Sequence, residues 1–361
     1  MSGKWHSIRN GWRSRPRRQI SYACREAPRQ RRSARIAGMD AKPSSDRLTL
    51  ADIRAAHERI RERIHRTPVL TSTTLDQQAG GKLFFKCENL QKGGAFKARG
   101  ATNAVFLLSD AEAARGVATH SSGNHAAALS RAAKARGIPA YIVMPNNAPQ
   151  AKRAAVERLG GKIVFCEPTI LAREAAAAKI IADTGATLVH PFDDFRVMAG
   201  QGTATLELLD QAPDLDIIVA PIGGGGLISA TAVAAHGIKP GIRVIGAEPA
   251  GADDAYRSFH SGKRIPTVQP NTIADGLRST TSERTFNEIR SHVDDVVTVS
   301  EESIIAAMRS IWEVLKTVVE PSGAVSYGSI VDKKIDVRGK RVGIILSGGN
   351  LDLDKLPWMT T

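Results

Sequence analysis

Two kinds of apolar pattern alternate along the chain. From Leu48 the apolar side chains recur at three- and four-residue spacing through Ile53, Ala56, Ile60 and Ile64. That spacing predicts an amphipathic helix closed by Pro68. Leu83-Phe84-Phe85-Lys86-Cys87 is instead a compact apolar run bounded by polar residues, which predicts a short strand. Runs of the same kind follow at 116–119, 140–144, 162–165, 217–220, 244–247 and 342–346. The segments between them have helix-forming composition, most plainly the alanine-rich stretch 172–182. Strands alternating with helices predict an α/β protein with mostly parallel sheets and helices on both faces.

Residues 1–45 have neither pattern. They hold twelve Lys and Arg against Glu26 and Asp40, so they carry +10 of the net charge of +14 and leave +4 for the rest. A segment so basic and aperiodic reads as disordered. It is either an Arg- and Ser-rich transit peptide or sequence upstream of a start at Met39. Because the basicity belongs to this appendage, nucleic-acid binding is a remote alternative, as is a non-catalytic relic. No run approaches the ~18–20 apolar residues of a membrane span. Cys24, Cys87 and Cys166 are odd in number and lack metal-ligand spacing, so reduced thiols in a cytoplasmic protein are expected.

Four motifs carry the candidate chemistry. In Gly94-Ala95-Phe96-Lys97 a lysine sits among small residues, and lysine is the side chain whose pKa falls readily on burial, freeing a nucleophilic amine. Gly223-Gly224-Gly225-Gly226-Leu227 stands between a strand and a helix, where consecutive glycines can turn N–H groups toward one anion. The dinucleotide fingerprint is not met, since Ile228 and Ser229 fall where its last glycine belongs. Ser121-Ser122-Gly123-Asn124-His125 and Ser347-Gly348-Gly349-Asn350 are two further strand-end turns rich in donors and acceptors.

In this order and at these separations, from about Leu48 to Asp352, the motifs resemble the pyridoxal-phosphate enzymes of the serine/threonine dehydratase and serine racemase family. The resemblance implies a two-lobed fold-type II architecture (tryptophan synthase beta-like). Residues 46–115 and 194–361 would form a large cofactor-binding domain, and 116–193 a small inserted one. It implies pyridoxal phosphate bound covalently to Lys97 beside Phe96, with its phosphate on Gly223–Leu227, its 3′-oxygen on Asn124 and its ring nitrogen on Ser347. A neutral partner at that nitrogen leaves a weaker electron sink, which suits prompt loss of a β-leaving group. Ser121 through His125 would hold the substrate carboxylate, and Ser122 matches the second acid/base of the family's racemases.

Further positions follow from the same resemblance. Glu248, the Ala252 carbonyl and Asp254 match a divalent-cation site, and such hard oxygens suit Mg²⁺ or Ca²⁺. Arg173 matches an arginine near the distal group of dicarboxylate ligands, and Ala95 points the same way. Phe192 departs from the asparagine that helps bind nucleotide in animal serine racemase, so ATP activation is not expected. The expected activity is dehydration and deamination of a hydroxy amino acid of threonine/serine type to a 2-oxo acid and ammonia. The alternatives are 3-hydroxyaspartate ammonia-lyase and serine racemase, and a homodimer is expected.

Overall fold

The expected strands assemble into two sheets. The computed structural model describes residues 47–148, 150–267 and 269–359. The basic segment 1–45, with Met39 and Cys24, lies outside the described residues. The strands are β1 (Val69–Leu70), β2 (Lys82–Cys87), β3 (Val117–Thr119), β4 (Ala140–Pro145), β5 (Lys162–Cys166), β6 (Thr187–Leu188), β7 (Ile217–Pro221), β8 (Arg243–Pro249), β9 (Asp295–Val299) and β10 (Arg341–Leu346). One sheet has the order β1-β2-β10-β7-β8-β9, parallel throughout except for β1. The other is wholly parallel, in the order β5-β4-β3-β6.

The compact apolar runs are strands because both of their faces are covered. Ile217, Val219, Ile245 and Ile344 pack on one side of the larger sheet with helices 301–310 and 321–331. Their neighbours Ile218, Ala220, Val244 and Ile345 pack on the other with helices 195–211 and 226–238. Successive side chains point to opposite faces, so a strand buried on both reads as an unbroken apolar run. β1 and β6 are two-residue pairings too short to leave a pattern, and β9 is an edge strand with polar residues in its five. The first helix, Leu50–Ile60, stops a turn short of the periodic pattern. The Arg63 N–H closes a tight turn on the Ile60 carbonyl (2.7 Å), yet Ile64 is still buried.

Parallel strands end on the same edge of a sheet, and that edge is where such folds bind ligands. Here it collects the motifs. β2 leads to Lys97, β10 to Ser347, β7 to Gly223 and β8 to Asp254, while β3 of the second sheet leads to Ser121. Residues more than 200 positions apart in the chain thereby meet.

The helix Lys97–Phe106 crosses the helix Phe195–Gln211 at two glycines. A Cβ on Gly200 would stand 2.5 Å from the Gly100 Cα and 2.7 Å from the Arg99 carbonyl oxygen. Alanine would gain up to ~1 kcal/mol in helix propensity, but overpacking against backbone costs about 1–3 kcal/mol. Gly200→Ala is therefore expected to lower the urea midpoint of unfolding. An unchanged or raised midpoint would mean that the crossing can spread.

Candidate functional site

Lys97 arrives at the sheet edge through a loop sewn onto the end of β10. The Phe96 N–H donates to the Ser347 carbonyl (3.0 Å), the Gly349 N–H to the Gly94 carbonyl (2.9 Å), and Ala95 bridges Gly348. Gly94 has φ +75°, and a Cβ there would lie 2.4 Å from Asn350 Oδ1, so both conformation and space require glycine. Lys97 Nζ donates to the Pro191 carbonyl at 2.7 Å and lies 5.0 Å from the centre of the Phe96 ring. Burial lowers the pKa of the amine to about 8. The side chain is half-buried, with its amine directed at the Pro191 carbonyl.

Two of the other motifs open helices with unoccupied N–H groups. The helix Gly226–Ile238 starts behind Gly225 (φ +89°) without a side-chain cap, and Gly223, Gly224 and Gly225 donate no backbone hydrogen bond to any described residue. A Cβ on Gly224 would fall 2.2 Å from the Phe192 ring, which packs against the loop. The helix Asn124–Arg136 starts behind Gly123, also uncapped. The loop's serines and asparagine are the usual cap-forming residues, yet none caps this helix; Ser121 Oγ accepts only from the Gly123 N–H (3.4 Å). The helices opening at Lys97 and Pro321 lack side-chain caps as well, and the one opening at Asp254 has no cap from its own N-cap residue. Helices starting elsewhere are capped by Thr49, Ser72, Ser109, Thr169, Asp194, Ser282 and Ser300. Orphan N–H groups at helix starts are what a phosphate or carboxylate binds.

Asn124 joins these elements. Its Nδ2 donates to Glu320 Oε1 (2.8 Å), and its Oδ1 accepts from Asn350 Nδ2 (3.0 Å), which also reaches the Gly93 carbonyl (2.7 Å). Glu320 was not legible from the pattern, because an acid before proline at a helix start is commonplace. It is 4 % exposed, and burial, with Asp275 nearby, raises its pKa to about 8. Ser347 is buried, and its hydroxyl is 3.5 Å from the Ser322 carbonyl.

Two neutral histidines adjoin the lysine, and a third packs on one of them. His125 Nε2 sits 3.1 Å from the Val189 carbonyl, and burial together with Lys97 pushes its pKa down to about 3. His190 Nδ1 accepts from the N–H groups of Phe192 (3.3 Å) and Asp193 (2.8 Å), and burial lowers its pKa to about 4. Its ring packs edge-on against His120 (5.1 Å) and Phe192 (4.6 Å). Burial lowers the pKa of His120, with the neighbouring charges of Glu174 and Arg173 acting in opposite directions. The Nε of Arg173 is buried without a hydrogen-bond partner, and among the described residues Arg173 has no ion-pair partner.

The candidate cation ligands lie at the end of β8. Glu248 is fully buried and accepts from the N–H groups of Ala255 (3.2 Å) and Tyr256 (2.9 Å). Asp254 accepts from the Thr267 hydroxyl and the Thr281 N–H (3.1 Å). Burial raises both pKa values, and for Glu248 the charge of Asp254 adds to it. Two buried carboxylates repelling each other, with Ala252 between them in sequence, make a donor set that fits a hard cation. No cluster of three or more acidic, histidine or cysteine ligands occurs among the described residues.

Known proteins share this arrangement. The family model described as pyridoxal-phosphate dependent enzyme matches residues 60–348. The beta-hydroxyaspartate dehydratase of Paracoccus denitrificans is 54% identical over 310 residues, covering 86% of this chain and 98% of its own. The serine racemase of Arabidopsis thaliana is 52% identical over 323 residues, covering 88% and 98%. The crystal structure of serine racemase from Dictyostelium discoideum superposes with a TM-score of 0.82 at 48% identity, covering 85% and 99%.

Glu320 makes stability depend on pH in a defined direction. The folded protein keeps its proton up to about 8, whereas the unfolded chain loses it near the ordinary value of 4.5. Between those values the unfolded state binds fewer protons, so stability falls as pH rises. Glu320→Gln keeps an acceptor for Asn124 and removes this contribution. Thermal melts at pH 5 and pH 8 should therefore differ less in the variant than in the parent, and an equal difference would mean that Glu320 is ionised throughout.

Proposed function

The chain belongs to the pyridoxal-phosphate dependent enzymes, and from that premise we propose that it dehydrates and deaminates a β-hydroxy-α-amino acid to a 2-oxo acid and ammonia. The observation that carries this reading is the buried amine of Lys97, lowered toward neutrality and held at the Pro191 carbonyl among neutral histidines. When bound, pyridoxal phosphate supplies an aldehyde for amines and a ring that acidifies the substrate's Cα–H. The unpartnered N–H groups of Gly223–Gly225 and the start of the next helix would hold its phosphate, Lys97 its aldehyde carbon, Asn124 its 3′-oxygen and Ser347 its ring nitrogen. A free Lys97 Nζ would take the Cα proton, and the β-hydroxyl would leave as water. The uncapped turn Ser121 to His125 holds the α-carboxylate. We assign 116–193 to a smaller lobe that brings this turn to the larger one.

The substrate that the site fits best carries a second carboxylate, as 3-hydroxyaspartate does. Arg173 is a cation without a counter-ion beside His120, and the Paracoccus relative is named for that substrate. Serine racemisation is the second reading. The Ser122 hydroxyl makes no hydrogen bond to a described residue, so it is free to exchange a proton on the face away from Lys97. A Mg²⁺ or Ca²⁺ ion on Glu248, the Ala252 carbonyl and Asp254 belongs to the same reading, as does a homodimer. Exposed Leu90 and Val318, joined through Asn89 (2.8 Å to the Val318 carbonyl), offer apolar surface to a second copy; the mass in solution checks it. No helix of the described residues is long and apolar enough to cross a membrane.

A panel of L-threonine, L- and D-serine and the 3-hydroxyaspartate isomers, read by ammonia release and by chiral analysis, tests the assignment. Lys97→Ala should abolish turnover and the absorbance of the cofactor–lysine bond; full activity in that variant would sink it. Arg173→Ala should cut kcat/KM for hydroxyaspartate by ~10–100-fold, the loss of about 1.5–3 kcal/mol expected for a hydrogen bond to a charge, and spare serine. Equal losses on both substrates would remove Arg173 from the substrate's reach.

The cation is checked by heat. Mg²⁺ or Ca²⁺ should raise the melting temperature of the parent and chelator should lower it, because a ligand binding only the folded state stabilises it. Asp254→Asn should abolish the response. A parent indifferent to both ions and to chelator argues that the two carboxylates are simply protonated.

A further inference from the structure

Among the described residues a cluster of fully buried charges lies outside the candidate site. Arg99, two residues beyond Lys97, is 0 % exposed and bonds two carboxylates at once. Its Nε and Nη2 donate to Glu88 Oε2 (2.7 Å) and Oε1 (2.8 Å), and its Nη1 and Nη2 to Glu207 Oε1 (2.8 Å) and Oε2 (2.7 Å). Lys86 Nζ completes the cluster on Glu207 Oε2 (2.7 Å), Gln211 Oε1 (2.9 Å) and the Thr67 carbonyl (2.8 Å). Taking such groups out of water costs several kcal/mol per ion, and an apolar cluster of equal volume is often as stable. Stability is therefore a weak reason for the cluster. What a planar guanidinium contributes, and an apolar side chain does not, is fixed geometry.

That geometry is delivered to Lys97. Two residues on a helix lie ~200° apart around its axis, so Arg99 faces the protein interior when Lys97 faces the cleft. Glu207 sits on the helix Phe195–Gln211, and the segment leading into that helix supplies Pro191, the acceptor of Lys97 Nζ. Glu88 directly follows β2, the strand that brings the chain to Lys97. The first turn of the lysine helix has no side-chain cap of its own. Its Gly100 N–H donates instead to Gln201 Oε1 (3.2 Å), from the same partner helix, where Gly100 and Gly200 cross at close range.

We propose that Arg99 and Gln201 are positioning residues for Lys97, locking the first turn of its helix to Glu88 and to the helix Phe195–Gln211 so that the amine stands at the Pro191 carbonyl. This rests on the reading that Lys97 is the amine that binds cofactor and moves the substrate proton. Neither residue touches the reacting groups. Both act by removing the freedom of the turn that carries the amine.

The test uses the full chain with Arg99→Lys, which keeps the charge and loses the fork, and Gln201→Met, which removes one acceptor at similar volume. In cofactor-free protein, acylation of Lys97 is followed against pH by mass mapping, and in the parent it should rise through about 8. In each folded variant the midpoint should move up toward that of an ordinary lysine. With cofactor restored, kcat should fall about tenfold or more with KM nearly unchanged, the pattern of a misplaced reacting group, for which an error near 1 Å can cost ~10²-fold. A variant that folds with the parent's Lys97 titration and kcat overturns the role of that residue. Should Arg99→Lys fail to fold, Gln201→Met decides alone, and a parent-like result there overturns the proposal. Borohydride trapping of the cofactor in the parent separates the two readings. Fixation at a lysine other than Lys97 refutes the functional assignment, while the Lys97 titration still reports whether Arg99 and Gln201 fix its position.

Discussion

A lysine amine that is to react near neutral pH has to be kept out of water, because hydration is what holds its proton. Much of the structure around Lys97 follows from that requirement. The amine is enclosed by the Phe96 ring, by His125 and by the segment Pro191–Phe192, with one carbonyl as its partner. No carboxylate contributes to its lowered pKa, which is due to burial alone. A nearby anion would have restored the charge that burial removes. The histidines comply with the same rule, each neutral and none a counter-ion. The nearest buried acid of the network, Glu320, keeps its own proton until about 8.

Helix capping divides along the same line. A side-chain cap satisfies the orphan N–H groups of a helix start and is worth about 1 kcal/mol. Seven helices outside the candidate site have one, whereas those opening at Lys97, Asn124, Gly226, Asp254 and Pro321 have none from their own N-cap residue. At Asn124 and Gly226 small residues leave the donors open to a ligand, while at Asp254 the Glu248 carboxylate takes two of them. At Lys97 the protein closes them from a distance, with the Ser347 carbonyl and Gln201. The stabilisation withheld at the site is that of local caps, and the parallel sheets behind it hold the loops in its place.

Much of the fold was legible in the sequence, and the physical reason differs by element. The runs at 217–220 and 342–346 could be read because burial on both faces leaves no polar residue to blur them, and 83–87 is interrupted only by Lys86. β1 and β6 could not, because two residues have no period. The cofactor motifs were visible because glycine and small polar residues cluster where backbone must approach a ligand. Glu320, His190 and the Arg99–Glu88–Glu207–Lys86 cluster left no comparable trace. A charged residue in a strand or helix looks like a solvated face until the partner, 121 positions away for Lys86 and Glu207, is seen to meet it.

The division of labour between the sheets bears on specificity. Lys97, the glycine loop and Ser347 stand at the ends of β2, β7 and β10 of the larger sheet, locked together by backbone hydrogen bonds and packing. The residues assigned to the substrate, Ser121 to His125 and Arg173, follow β3 and β5 of the other sheet. A change in the second group alters which side chains meet the substrate without disturbing the fixed group behind it. Relatives at nearly the same identity, 54% and 52%, named for hydroxyaspartate dehydration and serine racemisation, fit this separation. Fold and cofactor chemistry are held by many mutually supporting contacts, whereas the side chains proposed to meet the substrate, Arg173 and Ser122 among them, are few. The decisive physical question for this chain is therefore what neutralises Arg173. An arginine whose Nε is buried without a protein acceptor needs water or an anion there, and a second substrate carboxylate would be such an anion.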